Sequence, residues 1–250
     1  MSDQTVVGWM VPDWPAPAAV RAGVTTRQGG VSQLPYASLN LAGYVGDLPE
    51  AVAENRRRLS QQQQLPGEPL WLQQVHGTVV VDAASTAAHP VADASFTRLP
   101  NTVCAVMTAD CLPLLLCDRQ GSVVAATHAG WRGLLDGVIE ATVLSMGVAA
   151  AELLVWLGPA IGPAAFEVGD EVRDAFIAHH ADAHLAFKPV ADGYWLADIY
   201  QLARQRLAAL GVVAIYGGGE CTYSDAERFY SYRRDEVTGR MASLIWIAKN

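Results

Sequence analysis

Residues 108–133, TADCLPLLLCDRQGSVVAATHAGWRG, contain the pattern that decides how the centre of this chain folds. An apolar run lies on each side of Asp118–Gly121, which carries the Asp and Gly that tight turns favour. The stretch therefore predicts a β-hairpin. If its loop has two residues, Cys111 and His128 are direct cross-strand partners, with Cβ atoms about 4.5–5.5 Å apart. A bulge at Pro113 would change this register. The predicted pair suits two ligands of one metal ion, or a nucleophile and its base.

Composition limits the class of protein before any motif is considered. The chain has 250 residues, of which 51% are hydrophobic, enough for one large globular domain or two small ones. A net charge of -8 and a pI of about 5.2 argue against a surface for nucleic acid or anionic membranes. No apolar run approaches the roughly 18 residues that a membrane span needs, and Met1–Pro17 lacks a signal-peptide pattern. The four cysteines form no CxxC motif, which favours a cytoplasmic protein with reduced thiols.

Hydrophobic periodicity predicts both helices and strands. Helices are predicted after Asp47–Glu50, which resembles a capping box, and over Gly130–Met146, Glu167–His180 and Ala197–Leu210. Besides the hairpin arms, six apolar runs predict strands: Leu70–Val75, Val79–Val81, Thr102–Met107, Leu153–Leu157, Val212–Tyr216 and Ala242–Ile247. Several strands follow one another without an intervening helix. We therefore expect an α+β fold with mixed or antiparallel sheets rather than a doubly wound fold.

A third residue with metal-binding chemistry is His76, at the end of the stretch WLQQVHG, residues 71–77. One thiolate and two imidazoles, from Cys111, His128 and His76, form a suitable ligand set for zinc and leave a fourth position open. An open position is typical of catalytic zinc, which activates water and polarises the bond under attack. Asp110 could orient a ligand or carry a proton, and could equally cap a turn. Spacing alone does not make His76 a ligand, because a lone histidine at a strand end is more often structural.

Several polar groups are candidates for substrate binding. The predicted helix at Gly130 begins just after the second hairpin arm, so its free amides and Arg132 could bind an anion beside the metal. Arg56 flanks the apolar stripe of the first predicted helix and is a second candidate for the same anion. Asn40 lies between leucines and could contact substrate or be a buried amide satisfied by backbone. Ser231–Asp235 could hold a phosphate or carboxylate through its paired arginines, or simply solvate a surface.

The ordered motifs together resemble a known family. The chain contains, in order, RQGGVSQLPYASLNL, VGDLPEAVAENR, WLQQVHG, TADCLPLLL, HAGWRG, WLGPAIGP, FEVGDEV and CTYSDAERFYSYRRDEVTGRMASLIWI. In these motifs it resembles the YfiH-like family over nearly its whole length. The resemblance implies a single domain over residues 1–250, with an α/β sandwich of mixed sheets flanked by helices. It also implies a relation to the cysteine-hydrolase-like fold of deamidating toxins.

The predicted site assigns three roles to its residues. The resemblance implies a zinc ion on the positions matching His76, Cys111 and His128, in agreement with the hairpin argument. We expect catalysis to depend on Cys111, His128 and Asp110, and substrate binding to depend on Asn40, Arg56 and Arg132. Tyr44 and Leu48, in the segment before the first predicted helix, stand where the family is expected to have His and Asp. If this segment closes the pocket, the substrate preference of this chain would differ from that of the family.

The family carries several functional names, and residue chemistry separates some of them. A multicopper laccase needs more imidazoles than this chain supplies, since its six histidines include no His-x-His pair. Zinc is therefore the expected ion, and copper is the less favoured alternative. One prediction is a zinc-dependent enzyme acting on purine nucleosides, by phosphorolysis of adenosine and inosine or by deamination of adenosine. The alternative is an amidase that edits peptidoglycan precursors by removing L-Ser from UDP-MurNAc-L-Ser.

Two further hypotheses use the same residues differently. A fourth protein ligand would favour a non-catalytic, zinc-stabilised binding module, because closed sites are structural, and Asp110 and Cys221 are the candidates. A metal-free hydrolase would use Cys111 as nucleophile and His128 as base. The enzymatic hypotheses involve a small-molecule substrate, either a purine nucleoside with phosphate or a UDP-linked muropeptide precursor. None of the hypotheses involves nucleic acid or a membrane.

Overall fold

A computed structural model describes residues 6–249 of the chain, and the predicted hairpin forms its centre. The arms are β6, Leu112–Asp118, and β7, Val124–Ala129, and every residue in both is buried. Strands buried on both faces are apolar throughout rather than alternating, which explains the two continuous hydrophobic runs. They lie in the middle of a six-stranded sheet. Across it the order is β12 (Ala214–Gly217), β8 (Leu153–Leu157), β6, β7, β4 (Ala94–Thr97) and β3 (Val80–Asp82).

The register of the hairpin differs from the predicted one. Pro113 pairs with His128, so the predicted pairing of Cys111 with His128 is wrong by two residues. The loop has four residues rather than two, because Asp118 pairs through its amide with the carbonyl of Val123. The Asp118 carboxylate stabilises this longer loop by accepting a hydrogen bond from the amide of Ser122 at 2.6 Å. Cys111 consequently lies just before β6 rather than opposite His128.

A four-stranded antiparallel sheet packs against one face of the six-stranded sheet. Side chains from both sheets, including Val24, Val106, Leu115 and Ile245, form one apolar core. Burial of each large aliphatic side chain contributes roughly 1.5–3 kcal/mol, so the interface between the sheets is a major source of stability. The order across the smaller sheet is β1 (Trp9–Met10), β2 (Val20–Thr25), β13 (Met241–Ile247) and β5 (Cys104–Thr108).

Helices cover the outer faces of both sheets. On the four-stranded side, α1 (Pro49–Gln62) contributes Leu59 to a core shared with Ala105 and Leu244. On the six-stranded side, the core around Leu114 includes residues of four helices: α2 (Trp131–Asp136), α3 (Val138–Met146), α4 (Asp170–His179) and α5 (Ile199–Ala209). The layers are thus helix, sheet, sheet and helix. The α+β prediction of mixed sheets flanked by helices is confirmed, and the relation to deamidating toxins stays a prediction.

Two smaller units complete the fold. A three-stranded antiparallel sheet has the order β10 (Phe187–Ala191), β11 (Tyr194–Ala197) and β9 (Glu167–Gly169). Tyr232–Asp235 forms the short helix α6, shortly before β13. Within residues 6–249, each helix falls short of the length and hydropathy needed to cross a lipid bilayer.

Three local predictions need correction. The helix predicted over Gly130–Met146 is two helices, because Gly137 adopts a φ of +102° and ends α2 there. The predicted strand Leu70–Val75 forms only isolated bridges, at Leu70 and Gln73. The predicted capping box is wrong, since α1 begins after Leu48 without a side-chain cap.

Candidate metal centre

The structure brings His76, Cys111 and His128 together at one point. The ligand atoms of these three side chains all lie within 4.8 Å of one another. Cys111 Sγ lies 3.7 Å from His76 Nε2, and the two imidazole rings meet edge to face with centroids 4.8 Å apart. The three predicted ligands therefore form a group that could hold a metal ion, although the hairpin register that suggested their pairing is different.

Each ligand belongs to a different stretch of backbone. His128 lies on β7 and is buried, while Cys111 directly precedes β6. Asp110 before it has a φ of +94°, and His76 has a φ of +62° in the loop after Gln74. Few residues with a Cβ atom adopt this left-handed region, so both loops need specific support from their surroundings.

Asp93 provides that support and was missed by the sequence analysis. Its fully buried carboxylate accepts hydrogen bonds from His128 Nδ1 at 2.8 Å and from the amides of His76 at 2.9 Å and Gly77 at 2.7 Å. One carboxylate therefore orients both histidines, as outer-shell carboxylates commonly do at metal sites. Burial alone would raise the pKa of Asp93, but the bonds from His128 and Gly77 lower it.

Cys111 and His128 change each other's protonation. Loss of solvent alone would raise the pKa of the Cys111 thiol, but the charge of His128 and hydrogen bonds from both histidines lower it to about 6. Burial would lower the pKa of His128, but Cys111 and Asp93 raise it to about 9. Both shifts favour the thiolate of Cys111 and the imidazolium of His128 at neutral pH in the metal-free protein. A thiolate is the form of cysteine that binds a metal or attacks an electrophile.

Gly130 leaves the space that the imidazole of His76 occupies. A Cβ atom at Gly130 would lie 2.4 Å from His76 Cδ2 and 3.2 Å from Cys111 Sγ, so a larger residue would displace the ligands. Gly133 similarly allows α2 to approach the loop, since a Cβ there would lie 2.9 Å from the Gly77 carbonyl oxygen. The glycines of the HAGWRG motif are thus explained by packing around the ligand group.

The ligand group lines a cavity of about 320 Å³, a size suited to a small molecule. Apolar side chains form much of its wall: Met107, Trp131, Ile161, Phe166 and Ile199. The polar residues of the wall, besides the ligands and Asp110, are Tyr44, Gln74, Thr108, Tyr232, Arg233 and Arg240. Arg240 was not predicted as a site residue. Its position in the C-terminal motif was the one feature of the sequence that pointed to it.

Comparison with known proteins identifies the family. Residues 21–248 match the model of the family described as multi-copper polyphenol oxidoreductase laccase. The chain is 62% identical to purine nucleoside phosphorylase PA4543 of Pseudomonas aeruginosa, over 96% of this chain and 98% of the relative. It is 57% identical to purine nucleoside phosphorylase YfiH of Escherichia coli, over 95% and 98% of the two chains. This chain belongs to the YfiH family.

Solved structures agree with this assignment to the YfiH family. The Neisseria meningitidis protein NMB0706 matches with a TM-score of 0.94 and 52% identity, over 97% of this chain and 100% of that one. YlmD from Geobacillus stearothermophilus matches with a TM-score of 0.91 and 31% identity, over 97% of each chain. The fold of this chain is therefore the fold of these YfiH-type structures.

In this YfiH-family chain, Asp110 connects the ligand group to the C-terminal segment. Its Oδ1 atom accepts a hydrogen bond from Thr222 Oγ1 at 2.6 Å. Its Oδ2 atom accepts from Ser231 Oγ at 3.0 Å and from the Arg233 amide at 2.7 Å. Both carboxylate oxygens are thus used to hold the strained backbone before Cys111, and a role in proton transfer stays a prediction.

The two candidates for a fourth protein ligand lie outside the ligand group. Within residues 6–249 that group contains three residues, and neither Asp110 nor Cys221 is one of them. Cys221 Sγ instead accepts a hydrogen bond from the Gly162 amide at 3.2 Å. The group thus offers three ligand atoms, one fewer than the closed site of a structural zinc module has.

Asn40 and Arg56 are not among the residues that line the cavity, and both bind groups of the protein itself. The fully buried Asn40 amide donates to Ala42 O at 3.1 Å and accepts from the Arg240 amide at 3.0 Å. Arg56 donates twice to Leu41 O, at 3.0 and 2.9 Å. Its guanidinium also lies 4.2 Å from the ring of a tryptophan beside α1. Asn40 was predicted either to contact substrate or to be a buried amide that binds backbone groups. Its contacts match the second alternative.

Arg132 and the start of α2 also differ from the predicted anion site. Arg132 is exposed, and its guanidinium lies 4.2 Å from the ring of Trp131. It does not line the cavity, and α2 has only six residues. Of the two positions where this chain departs from the expected YfiH pattern, Tyr44 lines the cavity, whereas Leu48 is 57% exposed and does not.

Proposed function

We propose that this YfiH-family protein is a zinc-dependent enzyme that cleaves purine nucleosides by phosphorolysis in the cytoplasm. The observation that carries the proposal is the group formed by His76, Cys111 and His128, with ligand atoms within 4.8 Å in the wall of a cavity of about 320 Å³. One thiolate and two imidazoles suit zinc, and three ligands leave the position that catalysis needs. The relatives named purine nucleoside phosphorylase support the substrate class.

The residues present fit a zinc ion in three respects. Asp93 occupies Nδ1 of His128, which leaves Nε2 for the metal. Cys111 supplies the thiolate, and zinc binding would release the proton that His128 holds in the metal-free protein. Gly130 leaves room beside the imidazole of His76. Copper in the arrangement of a laccase needs several more imidazoles than this group contains, so we propose zinc ahead of copper.

Each part of the cavity then has a chemical role. A bound zinc ion would act as a Lewis acid that polarises the bond under attack. Phe166 and Ile161 offer apolar surface against which a purine or ribose ring can pack and exclude water. Asp93 holds both histidines in place, and Asp110 holds the backbone of Cys111. The same site would also deaminate adenosine, since the open position suits attack at C6 as well as phosphorolysis. We further propose that residues 1–250 act as one domain.

The test is a product analysis with the zinc-loaded protein. Adenosine with phosphate is expected to give adenine and ribose 1-phosphate, whereas deamination would give inosine whether or not phosphate is present. A parallel incubation with UDP-MurNAc-L-Ser would release L-Ser if the protein is the predicted amidase. The matched control is Cys117→Ala, which removes a buried thiol from β6 and leaves the ligand group intact. Phosphate-independent turnover alone would contradict phosphorolysis.

A second candidate function rests on the relay from Cys111 to His128 to Asp93. The Cys111 thiol has a pKa of about 6, and His128 Nδ1 lies 2.8 Å from Asp93 Oδ1, as in hydrolases that use a cysteine nucleophile. Such an enzyme works without metal. Removing zinc with a chelator abolishes activity in the proposed mechanism and leaves it unchanged in the cysteine hydrolase.

A further inference from the structure

Two arginines line the same cavity as the metal ligands and have no role in holding the metal. Arg233 belongs to α6 and Arg240 directly precedes β13, so both come from the C-terminal segment. Together with Tyr44 and Tyr232 they form what we call the rim of the cavity. The sequence pointed to Arg233 through its place in Ser231–Asp235, and did not point to Arg240.

Arg233 is anchored to the carboxylate that also holds the Cys111 backbone. Its amide donates to Asp110 Oδ2 at 2.7 Å, and its Nη1 atom donates to Glu167 O at 2.9 Å. The guanidinium lies 5.8 Å from the ring centroid of Phe166, a residue of the apolar wall. These contacts place the charge at the cavity and leave other N–H groups of the guanidinium for a ligand.

Arg240 is anchored by other residues than those that anchor Arg233. Its amide donates to Asn40 Oδ1 at 3.0 Å, and its Nη1 atom donates to Thr238 O at 2.8 Å and Gly239 O at 3.0 Å. The guanidinium also acts on Tyr44, because burial raises the pKa of the Tyr44 hydroxyl and the charge of Arg240 opposes that rise. The buried amide of Asn40 thus affects the rim indirectly, because it fixes the backbone from which Arg240 projects.

The charges of these two arginines are not balanced by carboxylates. Among the ion pairs within residues 6–249, neither Arg233 nor Arg240 has a partner, whereas the adjacent Arg234 pairs with Asp235 at 2.7 Å. Of the acidic side chains in that range, Asp110 lines the cavity, and both of its oxygens already accept hydrogen bonds. Acidic residues outnumber basic ones in this chain, which has a net charge of -8. A shortage of carboxylates therefore does not explain why these two guanidinium groups lack an ion pair. Guanidinium groups bind phosphate through charge-assisted, often bidentate, hydrogen bonds.

We infer that Arg233 and Arg240 bind inorganic phosphate as the second substrate of this enzyme. The inference rests on the proposed phosphorylase function and moves the predicted anion site from Arg56 and Arg132 to the rim. In the reaction, an oxygen of HPO₄²⁻ forms a bond to C1′ of the ribose while the C1′–N9 bond breaks. The electron pair of that bond goes to the purine, which takes up the proton of the phosphate. Atoms and charge balance with the free base and ribose 1-phosphate as products.

The test compares phosphate dependence in charge-neutral variants of the zinc-loaded enzyme. Arg233→Gln and Arg240→Gln are each expected to raise the KM for phosphate about tenfold to hundredfold, because each loses a charge-assisted hydrogen bond. Arg233→Lys and Arg240→Lys keep the charge and are expected to recover part of the affinity. The control is Arg119→Gln, which removes an exposed arginine from the hairpin loop. A KM for phosphate that stays at the wild-type value in both Gln variants would overturn the inference.

A binding measurement separates this inference from the proposed function. Titration of inorganic phosphate into the zinc-loaded protein, followed by calorimetry, needs no turnover. If the wild type cleaves no nucleoside yet binds phosphate, and the Gln variants do not, the proposed function fails and the anion site stands. If the wild type binds no phosphate, or the Gln variants bind it equally well, the anion site fails whatever the activity. Thermal unfolding identifies a variant that does not fold, and the Lys variant at that position then gives the answer.

Discussion

The metal-ligand group and the rim of the same cavity are built in opposite ways. The ligands are short side chains on three backbone segments, and one buried carboxylate, Asp93, fixes both histidines. The rim consists of long side chains whose backbones are anchored while their ends reach the cavity. Metal coordination tolerates small errors in ligand position poorly, so its support is buried and charged. The side chains of the rim, in contrast, remain partly or largely exposed.

The largest effect is expected from removing the thiolate. Cys111→Ala leaves two imidazoles and removes the one anionic ligand, so zinc binding should weaken by more than the roughly 10- to 100-fold that loss of an outer-shell partner costs. Activity should fall to background at limiting zinc, while Cys117→Ala should retain it. Metal content after dialysis and turnover at rising zinc concentration measure both effects. Partial rescue by excess zinc supports a purely ligating role, whereas a variant that no zinc concentration rescues, beside a chelator-resistant wild type, supports the cysteine nucleophile.

The next largest effect is expected in the reactivity of three of the four thiols in the metal-free protein. The pKa of Cys111 is about 6, whereas burial raises the pKa of both Cys104 and Cys117 to about 12. Since the thiolate is the reactive form, Cys111 should react with iodoacetamide at least about 100-fold faster at pH 7, even though a low-pKa thiolate is less nucleophilic. Its labelling rate should fall only below about pH 6, where the sulfur becomes protonated. Mass spectrometry of labelled peptides gives the rates, and zinc should protect Cys111. Equal labelling of the three thiols would contradict the proposed electrostatics.

An effect of intermediate size is expected at Asp93. Asp93→Asn replaces an oxygen that accepts backbone N–H groups with an NH₂ group that cannot, so the loop of His76 loses support. Loss of outer-shell carboxylates lowers metal affinity by about 10- to 100-fold. The control is Asp118→Asn, which removes a buried carboxylate with backbone donors at the hairpin loop. Both variants should lose stability, and only Asp93→Asn should lose affinity for zinc in a chelator competition. Equal zinc affinity in the two variants would show that Asp93 is merely structural.

These two regions also differ in how far the sequence predicted them. The group of His76, Cys111 and His128 was predictable because thiol and imidazole groups are few and each lies beside a strand or a turn signal. The hairpin was predictable from its apolar runs, but its register was not. A carboxylate that binds loop amides, as Asp118 does, lengthens a loop without changing the hydrophobic pattern.

Asp93 and the rim were harder to predict for a physical reason. Asp93 had one signal, an acidic residue inside the apolar stretch VADASF, because a buried carboxylate needs partners. Arginines are abundant in the motifs, and whether one is paired depends on long-range contacts. Arg56 donates to a backbone carbonyl and Arg234 binds Asp235, while neither Arg233 nor Arg240 has an ion pair in the part of the chain that the structure describes. Sequence spacing does not contain that information.

The smallest effect is expected from the hydroxyl of Tyr44, where the rim departs from the expected family residue. Tyr44 and Arg240 line the same cavity, and the Arg240 charge lowers the pKa of this hydroxyl against the effect of burial, so Tyr44→Phe removes a polar neighbour of the guanidinium without removing its charge. The KM for phosphate should rise about two- to fivefold, as for loss of one ordinary hydrogen bond, with little change in kcat. Zinc affinity should stay unchanged because the ligand group is supported by Asp93 rather than by the rim. Tyr194→Phe, an exposed hydroxyl on β11, is the matched control. If Tyr44→Phe lowers zinc affinity instead, the metal centre and the rim are coupled, and the division between a fixed centre and an adjustable rim is wrong.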